Sequence, residues 1–486
     1  MKKSFYIFLG ILFFNGNIYA QNLEKQKIGV TYYNKEKTDD SYRLYSSRNL
    51  TTAHLISPAG KYVHTWYYPH KEDTVTVNFG GFGMTWHYAE MLPDGHLIAI
   101  VKDEMIIELD WNSNLVWKAK LRAHHDFARD SKGNTIVVSR KDLPNPWEPG
   151  KTIAMDELVE FNKKGKIIWQ WNYEKHMDDL KNLVKETLPP DETFRDWPHI
   201  NTCEILPKNP LEKKDKRFKA GNLLLSARHS DIIMIINKKT KKIVWAWGPG
   251  KLQGQHMPTM LPNGNILIFD NGHHNSKISR GYTKVVEMNP ISKKIVWEYG
   301  SNREFFSPAR GSAIRLKNGN TLIANSDNGW FFEITPSGEK VWEYYNPDLG
   351  RGGHRMGLYR TLAYDKQMVD KLLARNTSMY YKRPGKEKFQ EKYGLSDQLM
   401  KVVDWIETGS LDEACRWLND NGIETIGEKE TYFAYSLLFS VRGNIYQSVN
   451  SMKKAVEAGM PRELFSREFS DFFKSLTESS HFKDLN

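Results

Sequence analysis

The sequence predicts an all-β, six-bladed β-propeller followed by a small C-terminal α-helical, TPR-like domain. Three observations lead to this prediction: a recurring tryptophan at the end of short β-runs, turn signals between those runs, and helical periodicity after about residue 365. At 486 residues the chain is also too long for a single ordinary core.

Residues 1–20 have the pattern of a signal peptide. Lys2 and Lys3 precede an apolar run, and Ala20 precedes a plausible cleavage point at Gln21. The apolar run is too short to span a bilayer. We therefore expect a periplasmic or secreted protein, with no membrane insertion once the signal has been cleaved.

The composition favours β-structure with much aromatic packing, because the chain has 15 Trp, 23 Tyr and 23 Phe. The net charge is +11, with many of the lysines in turns. We interpret this charge as a solvated basic surface, and attraction of anionic substrates is the alternative. No nucleic-acid-binding motif is present, so we expect no nucleic acid partner.

The tryptophans of the repeat each close a short β-run that follows a turn. They are Trp66, Trp117, Trp169, Trp245, Trp297 and Trp342. Each unit can be divided into four strands, which is the β-propeller pattern. Six tryptophans therefore predict six blades within residues 21–365.

The clearest unit has strands at 232–236, 242–247, 256–261 and 265–269. The last unit lacks an obvious fourth strand. We expect residues 27–33 to supply it and to close the ring, because an open propeller would expose strand edges.

Residues 366–486 form the predicted helical domain. Apolar residues recur with helical spacing over 367–375 and 396–408, and further helices follow up to residue 458. Helix pairs of this length resemble tetratricopeptide repeats, and a plain helical cap on the propeller is the alternative. We expect any protein partner to bind this region.

Aligning the units places histidines at one shared position, on the third strand of each. They are His87, the pair His124 and His125, His199 and His256. Core packing would favour an apolar residue at a repeated position, so the set predicts a shared site. For any one of them alone, a structural role remains the alternative.

The chemistry of this set is open to two interpretations. Clustered imidazoles suit transition metals, but no acidic residue or cysteine recurs at the same register. Arg228 would repel a metal cation and suits an oxyanion, so we expect no metal and no cofactor. A neutral histidine can attack sulfur or phosphorus, a second can move a proton, and Arg228 with Asn201 can hold oxygens.

Two acidic positions near the histidines stay ambiguous. Asp126 could orient the neighbouring imidazole or could end a strand. The loop at residues 270–274 is better explained as a turn than as a set of ligands.

Four runs carry a resemblance to a known family. They are His124-His125-Asp126, Asp196 to Asn201, Ser226 to His229, and Gly254-Gln255-His256 followed by Asn263-Gly264-Asn265 and by Phe269-Asp270-Asn271-Gly272. Over roughly residues 50–365 the chain resembles the bacterial arylsulfate sulfotransferases that do not use phosphoadenosine phosphosulfate. Met257 departs from the family pattern, which commonly has a polar or acidic residue there.

The resemblance implies an arylsulfotransferase that moves a sulfuryl group from a phenolic sulfate ester to a phenolic acceptor. It implies a ping-pong mechanism through a sulfated His256, with His199 as acid/base or oxyanion donor and Arg228 on the sulfate oxygens. The remaining implied pocket residues are Asn201 beside His199, and His125, with His124 as the alternative to His125.

Two other functions remain compatible with the sequence. One is a non-catalytic periplasmic scaffold or ligand-binding propeller, which a funnel filled by apolar side chains would favour. The other is a quinone- or metal-dependent enzyme, since tryptophan-marked propellers also occur among quinoproteins.

Overall fold

The computed structural model describes residues 27–68, 86–184, 196–275, 277–301, 305–350, 354–380 and 385–473. The predicted signal peptide lies outside these residues. Across the described part of the chain, none of the helices combines the length and hydropathy needed to cross a membrane.

Six antiparallel sheets confirm the six predicted blades. In chain order, the strands up to the third blade are β1 (Gly29–Tyr33), β2 (Tyr42–Ser47), β3 (Thr52–Ile56), β4 (Tyr62–Tyr67), β5 (Trp86–Met91), β6 (Leu97–Val101), β7 (Met105–Leu109), β8 (Leu115–Lys120), β9 (Ala123–Arg129), β10 (Thr135–Pro144), β11 (Thr152–Phe161) and β12 (Ile167–Asn172). The remaining strands are β13 (Asp196–Trp197), β14 (Ile200–Ile205), β15 (Leu223–Ala227), β16 (Ile232–Ile236), β17 (Ile243–Trp247), β18 (His256–Met260), β19 (Ile266–Asp270), β20 (Lys284–Asn289), β21 (Lys294–Tyr299), β22 (Ser312–Arg315), β23 (Thr321–Asn325), β24 (Trp330–Ile334), β25 (Lys340–Tyr345) and β26 (Leu358–Tyr364).

The helices follow the last strand, except for one short helix between blades three and four. They are α1 (Met177–Lys181), α2 (Lys366–Arg375), α3 (Glu387–Tyr393), α4 (Asp397–Glu407), α5 (Leu411–Val441) and α6 (Ile445–Glu457). Helix α5 is interrupted at Gly427, whose φ of 73° and ψ of 171° are not helical.

Each blade begins two strands after the start of the repeat unit defined from the sequence. The unit at 232–269, for example, contains the last two strands of blade four and the first two of blade five. Sheets two to five run β5 to β8, β9 to β12, β14 to β17 and β18 to β21, so each histidine strand comes first and lies innermost. The tryptophan strands are the fourth strands of the blades. The repeat alone cannot fix this frame, because the connection between two blades, such as that from Trp247 to His256, is as short as a hairpin loop.

The ring is closed by β26, which pairs with β2 in blade one. The expectation that residues 27–33 close the ring is wrong. These residues form β1, which adds to β25 as a fifth, outermost strand of blade six. There β1 covers an edge that would otherwise be open.

The recurring tryptophan joins each blade to the next. Where the indole N–H has a partner, it donates to a carbonyl in the turn between the third and fourth strands of the following blade. The pairs are Trp169 to Lys238, Trp245 to Pro290, Trp297 to Pro336 and Trp342 to Pro58. The sequence repeat is therefore a contact between blades as well as a core position.

The helical region packs on blades one and six. One apolar cluster includes Tyr62 and Trp342 of the propeller together with Leu399 and Phe433 of the helices. The fully buried Arg442 donates to the Tyr62 hydroxyl at 2.9 Å. The predicted domain boundary at residue 366 and the TPR-like character of this region stay predictions.

Candidate active site

Irregular pairing at the innermost strands turns the histidines towards the propeller axis. The ladder is interrupted between Trp86 and Tyr88, between Ile200 and Thr202, and beside the His124–His125 pair. His125 and His199 have φ values of 60° and 64°, in the left-handed region that non-glycine residues seldom occupy. Such β-bulges commonly re-aim side chains beside functional sites.

The imidazoles of three consecutive blades form a continuous row. Ring centroids are 4.3 Å apart for His87 and His125, 4.4 Å for His125 and His199, and 4.3 Å for His199 and His229. Burial and the neighbouring rings hold the pKa of His125 well below its usual value. Of the histidines aligned in the sequence, His87, His125 and His199 thus lie side by side, and His229 extends the row.

His256 is buried, and both of its hydrogen bonds use Nδ1. This atom lies 2.7 Å from Asn271 Oδ1 and 3.1 Å from the Gly254 carbonyl. The Asn271 amide is oriented by its own N–H groups, which donate to the carbonyls of Ser307 and Arg310 at 2.6 and 2.9 Å. Because both partners of Nδ1 accept, Nδ1 carries the hydrogen and Nε2 keeps its lone pair.

Electrostatics keep this histidine neutral. Burial and the Arg228 guanidinium hold the pKa of His256 well below its usual value, although the bond to Asn271 opposes them. The unprotonated Nε2 needed for nucleophilic attack is therefore the ground state at neutral pH.

The segment that carries His256 is anchored on blade four. Asn201 Nδ2 donates to the Gln255 carbonyl at 2.8 Å, and Gln255 Nε2 donates to the Ser226 hydroxyl and to the Ile232 carbonyl. Gly254 has a φ of +66°, and a Cβ there would lie 2.3 Å from a neighbouring carbonyl oxygen. The Asn201 amide is thus used to hold the backbone next to His256.

Arg228 is a buried cation with unused hydrogen-bonding capacity. Its Nη2 makes two long contacts of 3.4 Å, to the carbonyls of His273 and Pro308. Among the described residues, no carboxylate lies within ion-pair distance of this guanidinium. A buried guanidinium with only weak neutral acceptors is suited to bind an anion.

His199 belongs to a charged network. Its Nδ1 lies 2.9 Å from Asp196 Oδ2, and Arg140 donates to the same oxygen at 2.7 Å. Burial alone would raise the pKa of Asp196, but His199, His229 and Arg140 together hold it well below its usual range. Asp196 is therefore ionised beside the imidazole.

The same network contains the one group among the described residues with metal-like geometry. Possible ligand atoms of Asp196, His199 and His229 lie within 4.8 Å of one another. Arg140, however, already binds Asp196 and would repel a cation at this point.

Of the histidine pair, His125 is the member that faces the row of imidazoles. His124 is fully enclosed, with its Nδ1 2.6 Å from Nδ1 of His125 and its Nε2 3.1 Å from Asp156 Oδ1. The backbone N–H of His125 donates to His87 Nδ1 at 3.0 Å. His124 thus contacts the site through His125.

Asp126 does not orient a histidine. Its carboxylate pairs with Arg360 at 3.0 Å and accepts the backbone N–H groups of Cys203 and Phe127, both at 2.9 Å. Arg360 belongs to the closing strand β26, so this ion pair joins blade one to blade three.

Several site residues were not predicted as such from the sequence. They are Asp156, Asn271, Tyr359 and Arg360. Asn271 lies in the loop interpreted as a turn, and its Asp-Asn-Gly context gave no sign of a partner on His256. Tyr359 and Arg360 lie on β26, whose position depends on ring closure.

Comparisons with known proteins agree with this geometry. The family model of arylsulfotransferase (ASST) matches residues 88–347. The arylsulfate sulfotransferase AssT of Lelliottia amnigena is 22% identical over 255 residues, which cover 37% of this chain and 40% of that protein. The aligned part therefore spans less than half of this relative.

Two solved structures are also similar. A protein of unknown function from Bacteroides caccae has a TM-score of 0.43 and 14% identity, covering 68% of this chain and 100% of that chain. A streptogramin B lyase has a TM-score of 0.37 and 11% identity, covering 69% and 97%. Since the family model matches more than half of the sequence, the chain belongs to the arylsulfotransferase (ASST) family.

Proposed function

We propose that the protein is an arylsulfate sulfotransferase that works by a ping-pong mechanism through a sulfated His256. The observation that carries this proposal is the hydrogen bond from His256 Nδ1 to Asn271, which leaves the lone pair on Nε2. Arg228 supports it, because a buried guanidinium without a carboxylate partner suits the sulfuryl oxygens.

In the first half-reaction, Nε2 of His256 forms a bond to sulfur as the S–O bond of the aryl sulfate breaks. The departing phenolate takes a proton from a neighbouring histidine. Arg228 holds the sulfuryl oxygens, and His199 assists as oxyanion donor or as acid/base. In the second half-reaction, a phenolic acceptor takes the sulfuryl group from His256. No cofactor and no metal takes part in this scheme.

An aromatic wall beside the histidines is suited to an aryl group. The Tyr359 ring lies 4.8 Å from His87 and 5.9 Å from His125. Planar rings at this position can stack on a phenyl ring while Arg228 binds its sulfate. The polar and basic character of the site disfavours the non-catalytic scaffold, which predicted an apolar funnel.

The test follows a sulfuryl group through the enzyme. Purified protein is incubated with 4-nitrophenyl sulfate, without nucleotide, and a phenolic acceptor is added afterwards. We expect nitrophenol release, transfer to the acceptor, and a gain of one SO₃ on the peptide that contains His256. His256→Asn should abolish all three, whereas the buried His54→Gln, on outer strand β3, should retain them.

Two results would contradict the proposal. The first is full transfer by His256→Asn, which would exclude His256 as the nucleophile. The second is a covalent SO₃ on another residue of an active wild-type enzyme.

We also propose that residues 1–20 direct export to the periplasm or beyond and that the mature chain begins at Gln21. N-terminal sequencing of the exported protein tests this. We also propose that residues 21–365 form the propeller domain and residues 366–486 form a separate helical domain. This helical domain is the proposed binding surface for a protein partner.

A further inference from the structure

The His124–His125 pair has a hydrogen bond that restricts its protonation states. The two Nδ1 atoms are 2.6 Å apart, so one of them must supply a hydrogen to the other. On the far side of His124, Nε2 lies 3.1 Å from Asp156 Oδ1. Neither of these two atoms has a hydrogen-bond partner among the described residues, so they meet as a close polar contact and not as a hydrogen bond. His124 Nε2 must therefore carry a hydrogen, because a lone pair would repel the carboxylate.

Asp156 is a buried carboxylate whose direct charged contact is this imidazole. Its Oδ2 accepts the backbone N–H of Ile200. Arg140 lies opposite Asp156 in the ladder of β10 and β11 and attracts it through space, but its direct ion pairs are with Asp103 and Asp196. Since a buried carboxylate needs a countercharge, the geometry favours one additional proton on the histidine pair. Both nitrogens of His124 then carry hydrogen, and His125 presents Nε2–H.

We propose that His125 is the catalytic acid for the departing phenolate, and that Asp156 and His124 are positioning residues that supply its proton through the Nδ1–Nδ1 hydrogen bond. This inference rests on the proposed function and assigns one step of it.

The histidine pair gives up one proton in the first half-reaction and regains one in the second. As Nε2 of His256 bonds to sulfur and the S–O bond breaks, Nε2–H of His125 passes to the phenolate oxygen. The hydrogen on Nδ1 of His124 moves to Nδ1 of His125. In the second half-reaction the acceptor hydroxyl gives its proton to His125 Nε2, its oxygen bonds to sulfur, and the N–S bond breaks. The pair then regains its starting protonation.

The surroundings of His125 explain why the additional proton of the pair is placed on His124 and not on His125. Four titratable groups of other blades face His125: His87, His199, His256 and Tyr359. Burial and the other imidazoles disfavour a cation on His125, whereas the Asp156 carboxylate lies 3.1 Å from Nε2 of His124. In contrast, the Asp196 carboxylate beside His199 is already neutralised by Arg140.

The experiment varies the leaving group. The value of kcat/KM is measured for Asp156→Asn and for the wild type with donors from 4-nitrophenyl sulfate to phenyl sulfate. A nitrophenolate departs without a proton, but a phenolate of high pKa needs one. We expect a loss of at most about threefold with 4-nitrophenyl sulfate and on the order of 10²-fold with phenyl sulfate. Asp156→Asn keeps an oxygen for the Ile200 N–H, so the backbone should stay in place.

Matched variants separate this role from a structural one. His54→Gln removes another fully buried imidazole and should leave the leaving-group dependence unchanged. His199→Gln should lower kcat/KM by a similar factor for all donors. An equal loss across donors in Asp156→Asn, or a leaving-group dependence that appears only in His199→Gln, would overturn the relay. A wild-type enzyme that transfers no sulfuryl group would overturn the proposed function with it.

A second measurement needs no variant. In the wild type, D₂O should slow phenyl sulfate turnover more than 4-nitrophenyl sulfate turnover, because only the first requires proton transfer as the S–O bond breaks. Equal isotope effects on the two donors would contradict the assignment.

Discussion

The side-chain amide of Asn271 determines which nitrogen of His256 carries the hydrogen. Its oxygen accepts from Nδ1, and its N–H groups are fixed by two backbone carbonyls. An imidazole whose Nδ1 lacks such an acceptor can place its hydrogen on Nε2 instead, which removes the nucleophilic lone pair. The tautomer of His256 thus depends on Asn271, which lies in the connection between β19 and β20.

Asn271→Leu should lower kcat/KM for aryl sulfates on the order of 10²-fold, because it removes the acceptor that sets the tautomer. KM should change less than kcat, since Arg228 still binds the sulfate. Asn265→Leu is the matched control, because its amide binds Glu287 in the turn away from the histidines. Equal losses in both variants would argue against control of the tautomer.

At the scale of single residues, the sequence predicts only some of the residues that belong to the site. A histidine at one position in several repeats is visible in the sequence, because rotational symmetry brings equivalent positions together. The partners Asn271 and Asp156 are not repeated, and each reaches the site from another strand. Their roles depend on side-chain orientation, which the order of residues does not encode.

At the scale of elements, the six tryptophan strands keep the blades in register. The Trp342 indole N–H donates to the Pro58 carbonyl at 2.6 Å, across the junction where the ring closes. Trp66 is equally buried, yet its Nε1 has no hydrogen-bond partner among the described residues. The two positions therefore separate the hydrogen bond from the packing of the ring.

Trp342→Phe should destabilise the protein by about 1 kcal/mol more than Trp66→Phe, because the part-buried Pro58 carbonyl loses its donor. Urea midpoints followed by circular dichroism give the comparison. A larger loss in Trp66→Phe would show that ring packing, rather than the bond between blades, determines the effect.

The number of blades was predictable for the same reason, since each tryptophan marks the fourth strand of one blade. The frame of each sheet was not, because hairpin loops and connections between blades are equally short. The closing strand was also assigned to the wrong segment. Both 27–33 and 358–364 have strand patterns, and only the second carries the largely buried sequence that an innermost position requires.

At the scale of the whole molecule, buried histidines make stability depend on pH. Burial lowers the pKa of His54 to about 4 and that of His64 to about 3. It also holds the pKa values of other histidines well below the usual value: His87, His125, His229 and His256. Burial acts in the opposite sense on two carboxyls, raising the pKa of Glu90 to about 7 and of Glu204 to about 8.

The sign follows from proton binding. Between pH 6.5 and 4.5 the unfolded chain takes up protons on these histidines and the folded protein does not, so stability falls as pH falls. Each such histidine contributes about 1.4 kcal/mol per pH unit in this window. Glu90 and Glu204 oppose this, because the folded protein keeps their protons while the unfolded chain releases them. Burial also raises the pKa values of Asp126, Asp270 and Asp412, which makes five opposing carboxyls. The six histidines outnumber them, so the net effect is loss of stability in acid.

The urea midpoint should therefore fall as pH is lowered from 6.5 to 4.5, and His54→Gln should show a shallower fall than the wild type. A midpoint that rises over this range would mean that the carboxyls dominate.

Closure by β26 has a consequence for how the protein reaches this structure. Tyr42 near the start of the propeller pairs with Tyr364 at its end, so the first blade cannot be completed until nearly the whole propeller has been synthesised. Contacts this distant in sequence carry a large loop-closure entropy and are formed late. Blades two to five can each form from a continuous stretch of chain. Until β26 has been synthesised, one edge of β2 stays unpaired and Arg360 is not yet beside Asp126. Assembly of the site and completion of the fold therefore coincide, and a nascent chain that stops before residue 358 lacks both.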